Sequence, residues 1–165
     1  MRIMNVVLFI IVNILVPFQA YAAKIYTPKE IADQLVKGPN GRGLPGFDGV
    51  QDRDPAIDLP IQFEFDSAEL TAEGRLLVGN LNRALRDPRI KDHKIQIEGH
   101  TDGRGTEQYN LQLSKRRAIM VKDTLVNRYG IESSRLIVKW YGKSQLKNPN
   151  FPEAPENRRV TARTL

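Results

Sequence analysis

The chain has 165 residues, 41% of them apolar, which suits one ordinary globular domain with a short extension and excludes two full domains. It contains no cysteine, so neither a disulfide framework nor thiolate chemistry is available and stability must come from the core. Its formal charge of +6 arises from 25 basic and 19 acidic residues that are interleaved along the chain, a balance that argues against nucleic acid and fits an anionic envelope surface or ordinary solubility equally well.

Residues 1–22 read as a cleaved secretory signal. MRIM is a short basic start, VVLFIIVNILV is apolar, and Ala20 and Ala22 fit the small-residue rule of a signal peptidase site. The apolar stretch from Ile3 to Phe18 is shorter than the roughly 20 residues of a spanning helix, and Asn13 and Pro17 interrupt it. The alternative is an uncleaved membrane anchor. Residues 23–56 hold KGPNGRGLPGFDG, which has neither helical nor strand periodicity and predicts a flexible tether. A short helix at Pro28 to Val36, capped by Thr27, is expected near its start.

Residues 57–165 are expected to form one domain. Ile61, Phe63 and Phe65 alternate with polar residues and predict a first strand. Thr71 caps a helix whose apolar residues Leu77, Leu81, Ala84 and Leu85 recur at helical spacing until Asp87-Pro88. Ile95, Ile97 and Gly99 alternate as a second strand. Asn110 is expected to cap a second helix with Ser114, Ala118, Val121, Leu125 and Tyr129 along one face, ended by Gly130. Leu136 to Tyr141 and Arg159 to Thr164 read as further strands, separated by a loop rich in proline and asparagine. The order predicts an α+β fold: a two-layer α/β sandwich with a mixed four-stranded sheet and helices on one face.

Templates for catalysis find little support. The chain has only two histidines, His93 and His100, no G-x-S-x-G elbow, no phosphate loop and no third ligand to complete a metal site around His100 and Asp102. No cofactor and no enzymatic activity are expected. Binding is the better reading of EGHTDGRGTEQYNLQLSKRRA. Asp102 falls just past the end of the second strand, where ligands of open α/β sheets tend to sit, and Gly103 and Gly105 permit a tight turn beside it. Arg117 borders the face that packs on the sheet, so its stem can be buried while its guanidinium reaches back toward the loop; Lys115 and Arg116 are rotated toward solvent. One carboxylate and one guanidinium held close together suit a zwitterion. The same two side chains can instead pair with each other.

FEFDSAELTAEG, IEGHTDGRGTEQYNLQLSKRRAIMVKDTL and ENRRV closely resemble the C-terminal domain of OmpA and the related domains of Pal and MotB proteins, over about residues 57–165. The resemblance implies non-covalent binding of peptidoglycan through the diaminopimelate of its stem peptide, in the periplasm and in association with the outer membrane of a Gram-negative envelope. It places the principal contacts on Asp102 and Arg117, and lines the pocket with Phe65, Asp66, Ser67, Thr101, Asn110, Leu113 and Arg158. The barrel of OmpA, the lipidated cysteine of Pal and the membrane helix of MotB are not recognisable here, which leaves the tether as the place for another envelope protein to attach. An inner-membrane adaptor with an uncleaved N-terminal segment and an envelope hydrolase are the alternative functions. The chain also ends in TARTL where a glutamate commonly follows NRRV, a departure that no physical argument explains.

Overall fold

The computed structural model describes residues 24–37 and 55–165; the expected signal peptide, 1–22, and the glycine-rich part of the expected tether, 38–54, lie outside the described residues. Helix α1, Pro28–Lys37, begins as expected with Thr27, whose backbone N–H and hydroxyl both donate to the Glu30 carboxylate. Its Ile31, Ala32 and Leu35 are fully buried. They pack with α2 (Ala72–Ala84), β1 (Ala56–Leu59) and β4 (Val160–Thr164). Within the segment read as a tether, Pro28–Lys37 is therefore part of the domain's core. Its spacing of apolar residues at 31, 32 and 35 is the ordinary signature of a packed helix, and burying an Ile or Leu side chain stabilises by about 1.5–3 kcal/mol.

The first strand differs from expectation. It is Ala56–Leu59, ending at Pro60, which cannot donate a ladder hydrogen bond. Phe63 makes only an isolated antiparallel bridge to Leu70, and the Glu64 N–H donates to the Glu69 carbonyl at 2.8 Å. Asp66, at the tip of this narrow turn, has φ of 50°, and Phe65 beside it is 99% exposed. The alternation of Ile61, Phe63 and Phe65 thus runs from the core out to a loop tip.

The remaining elements follow the expected order. Thr71 caps α2, its hydroxyl accepting from the Gly74 N–H at 3.0 Å. Strand β2 is Ile95–His100. Helix α3 is Glu107–Asp123, continued by a π-helical stretch Thr124–Arg128 and ended near Gly130, whose φ is 69°. Its N-cap is Thr106, which accepts from the Tyr109 N–H at 3.2 Å, and not Asn110, which sits one turn inside the helix. Strand β3 is Leu136–Gly142.

The four strands form one mixed sheet in the order β1-β4-β2-β3: β4 runs antiparallel to both neighbours, and β2 pairs in parallel with β3 through the α3 crossover. The period-2 alternation of the strands turns buried Ile57, Leu59, Ile95, Ile97, Val160 and Ala162 toward the helices. The opposite face is polar: Asp58 pairs with Arg159 and Lys147 and accepts from Thr161, and Glu98 pairs with Arg163. This is the two-layer α/β sandwich expected from the residues. Among the described residues no helix is long and apolar enough to cross a membrane.

Candidate functional site

The end of β2 is held from two sides. The His100 N–H donates to the Arg159 carbonyl at 3.0 Å, and the Thr101 N–H donates to the Gly142 carbonyl at 2.9 Å, so the loop that follows leaves the sheet in a fixed direction. Asp102, 9% exposed, comes next. Its Oδ1 accepts from the Arg104 N–H at 3.1 Å, an Asx turn that folds the loop over its own carboxylate. Gly103 is pressed on the loop before β4: its N–H donates to the Pro152 carbonyl at 2.7 Å, and a Cβ there would stand 2.7 Å from the Pro152 Cβ. Gly105, with φ of 77°, takes the left-handed conformation that lets the chain turn into α3. The Asn110 side-chain amide, buried at 2% exposure, donates to the Arg104 carbonyl and braces that turn from below.

Arg117 approaches from α3. Its Nε donates to the Ser67 carbonyl at 2.9 Å, and its guanidinium carbon lies 4.9 Å from the centre of the Phe63 ring. Among the described residues its two terminal nitrogens make no hydrogen bond. Burial, reinforced by the nearby Arg158, pushes its pKa down, against the pull of Asp102 and Asp66; an arginine nevertheless stays charged. Asp102 and Arg117 thus face one site without forming an ion pair with each other. The partner of Asp102 is Arg158, whose Nη1 lies 2.9 Å from Oδ2, with the Arg104 Nε farther off at 3.8 Å.

The other residues expected at the site are distributed around this centre. Ser67 contributes its carbonyl to Arg117, while its hydroxyl accepts from the Glu69 N–H. Thr101 is buried, its hydroxyl donating to the Asp102 carbonyl at 3.1 Å, and Leu113 is buried on α3. Asp66 and Phe65 stand exposed on the turn that also carries Ser67. Two participants were missed by the sequence reading. Arg104 bridges Asp102 and Glu153, the latter at 3.3 Å, and Phe63 provides the ring beneath Arg117. Lys115 is half-buried with its ammonium 4.7 Å from the centre of the Trp140 ring, whereas Arg116 is exposed. A cavity of about 560 Å³ is lined by Gly103, Asn148, Phe151, Pro152 and Glu156 among others, and by neither Asp102 nor Arg117.

The two-layer sandwich thus sets a buried carboxylate, just past the end of β2, near a guanidinium on α3 that is incompletely bonded among the described residues. Residues 62–160 match the OmpA family, and the chain belongs to that family. It is 37% identical over 119 residues to a peptidoglycan-associated lipoprotein of Mesorhizobium japonicum, a match covering 72% of this chain and 67% of that one. It is 35% identical over 108 residues to outer membrane porin F of Pseudomonas aeruginosa, a match covering 64% of this chain but only 30% of the porin. The fold is similar to that of the OmpA-like domain of FopA1 from Francisella tularensis (TM-score 0.57, 23% identity, 71% of this chain and 79% of that one). It is also similar to that of the periplasmic domain of Helicobacter pylori MotB (TM-score 0.56, 23% identity, 69% and 83%).

Proposed function

We propose that the chain binds peptidoglycan non-covalently through the diaminopimelate of the stem peptide, as a module of the Gram-negative periplasm associated with the outer membrane. Domains of this family bind peptidoglycan in general. The relatives named above include a peptidoglycan-associated lipoprotein and an outer membrane porin. The observation that carries the finer reading is the juxtaposition of buried Asp102 with Arg117, whose terminal nitrogens are unbonded among the described residues. Diaminopimelate presents an ammonium and a carboxylate on one carbon, and each side chain takes one of them. Thr101, Asn110 and Leu113 shape the floor of the pocket, and Phe65, Asp66, Ser67 and Arg158 its rim.

Two charge-assisted contacts of about 1.5–3 kcal/mol each, less the cost of ordering the ligand, give an affinity per site of about millimolar, tens of micromolar at the tightest. Weak single contacts suit a polymer that presents many of them, because anything tethered to the module then grips the wall reversibly. In this reading another envelope protein attaches through the segment expected as a tether, residues 23–56, outside its packed helix α1. Sedimentation of the protein with purified sacculi tests the proposal. The wild type should be retained, and Asp102→Ala and Arg117→Ala should each weaken retention by about tenfold or more. Undiminished retention of both folded variants would refute it.

A further inference from the structure

The two halves of the site are not in the same state. Arg117 has terminal nitrogens unbonded among the described residues, so its side of the site is open to an anion. Asp102 is already paired: Oδ1 accepts from the Arg104 N–H, Oδ2 from Arg158, and the residue is 9% exposed. A ligand ammonium that takes the place of Arg158 at Oδ2 strips that guanidinium of its ion partner. Three guanidiniums, those of Arg104, Arg117 and Arg158, surround this one buried carboxylate, with Glu153 already on Arg104 and Asp66 out on the exposed turn. An amine without a carboxylate would therefore leave Arg158 without its partner and add a third cation beside it and Arg117. A ligand with ammonium and carboxylate on one carbon repairs the exchange, since its carboxylate gives the displaced guanidinium a new fork to bind.

We propose that Arg158 is a specificity-determining residue. It occupies Asp102 until a ligand presents a carboxylate beside its ammonium, then turns to that carboxylate next to Arg117, and so rejects simple amines. The local build permits this motion. The Arg158 side chain is 43% exposed, while its backbone is anchored by the preceding Asn157, which is fully buried and whose amide donates to the carbonyls of Phe151 and Pro152 at 3.0 and 2.8 Å. The side chain can swing without moving the strand that follows.

This inference rests on the peptidoglycan reading and is tested by calorimetry with two tripeptides, L-Ala-γ-D-Glu-meso-diaminopimelate and L-Ala-γ-D-Glu-L-Lys, which differ in the carboxylate beside the terminal ammonium. The wild type should prefer the first by about tenfold or more. Arg158→Gln should bind the lysine peptide about three- to tenfold more tightly than the wild type does, with a smaller change for the diaminopimelate peptide. Unchanged or weaker binding of the lysine peptide by the folded variant would overturn the proposal. Should Arg158→Gln not fold, the wild type decides: sodium acetate should shift the Arg117 Nε–H resonance, and methylammonium chloride at equal ionic strength should leave the site unperturbed. Equal responses to the two salts would overturn the proposal. Failure of the wild type to bind either tripeptide would count against the peptidoglycan reading, and the salt comparison would still decide the role of Arg158.

Discussion

Gly99 of β2 lies so close to Ser114 of α3 that a Cβ on Gly99 would stand 2.2 Å from the Ser114 carbonyl oxygen. This is the joint between the strand that leads to Asp102 and the helix that carries Arg117. The Ser114 hydroxyl extends it by accepting the Gly142 N–H at 3.0 Å, so strand β3 is pinned at the same point.

Gly99→Ala forces backbone from backbone, and overpacking of this kind costs about 1–3 kcal/mol or more. The melting temperature should fall, and the tripeptide affinity of the fraction that remains folded should fall as well, because relieving the clash shifts α3 against β2 and so changes the spacing of Arg117 and Asp102. Calorimetric melting and ligand titration of the same preparation read both effects. A drop in stability with unaltered affinity would show that the joint does not set the spacing of the pair.

Phe65 offers the opposite case. A phenylalanine that is 99% exposed contributes no burial to the fold, so Phe65→Ala should leave the denaturation midpoint unchanged to within about 0.5 kcal/mol. Sacculus binding should nevertheless weaken a few-fold, since the ring is carried by the same turn as Asp66 and Ser67, the rim of the proposed site. Equal binding by the variant would remove Phe65 from the site.

Asn157 is fully buried, and its side chain organises the loop before β4 by donating to Phe151 and Pro152 and accepting from the Asn148 N–H at 2.8 Å. Asn157→Ala leaves the Asn148 N–H without its partner and takes a second donor from the Phe151 and Pro152 carbonyls, which keep the Ala154 and Gly103 N–H groups, at about 1–3 kcal/mol for a group left unsatisfied. The loop should become the first site of limited proteolysis. Its loosening should also lower the selectivity for diaminopimelate over lysine, because Arg158 follows directly.

Acid should weaken the fold through the polar face of the sheet. Burial opposes ionisation of Glu98, yet the His100 imidazole, the Arg163 guanidinium and the Gln96 amide together hold its pKa down at about 2. Burial likewise opposes ionisation of Asp58, and Lys147, Thr161 and Arg159 hold it at about 2. Both folded values lie below the usual carboxylate range of about 4, so the stability these groups contribute is present above about pH 5 and is lost as pH falls toward 2. Urea midpoints measured across that range should decline. Glu98→Gln should start lower at neutral pH and decline less steeply; an identical slope would place the acid sensitivity elsewhere.

Periodicity was enough to place α2, β2, α3 and β4, because each has one face in the core and a regular pattern to show for it. It failed where a similar pattern had another cause. Ile61, Phe63 and Phe65 alternate as a strand does, but their spacing marks a chain climbing out of the core to a turn at Asp66, and no local signal separates the two. Thr106 and Asn110 are both good capping residues, and only the glycine at 105, with its left-handed backbone, selects the first. At the site, the residue types and their helical spacing singled out Asp102 and Arg117. The pairing of Asp102 with Arg158 was not legible, because the two are 56 residues apart and meet only once β4 is seated beside β2.

Strand β4 is the last element in chain order yet lies inside the sheet, with β1 on one flank and β2 on the other. A nascent chain that has not yet reached Val160 therefore holds two strands with an empty lane between them, and β1, whose registered partners run from Val160 to Arg163, has no sheet to join. Synthesis from the N-terminus cannot lock the domain progressively; closure waits for the final strand and then couples residues about a hundred positions apart, a topology that folds slowly. Loss of only residues 160–164 would thus cost far more than a frayed end: it would split the sheet through its middle.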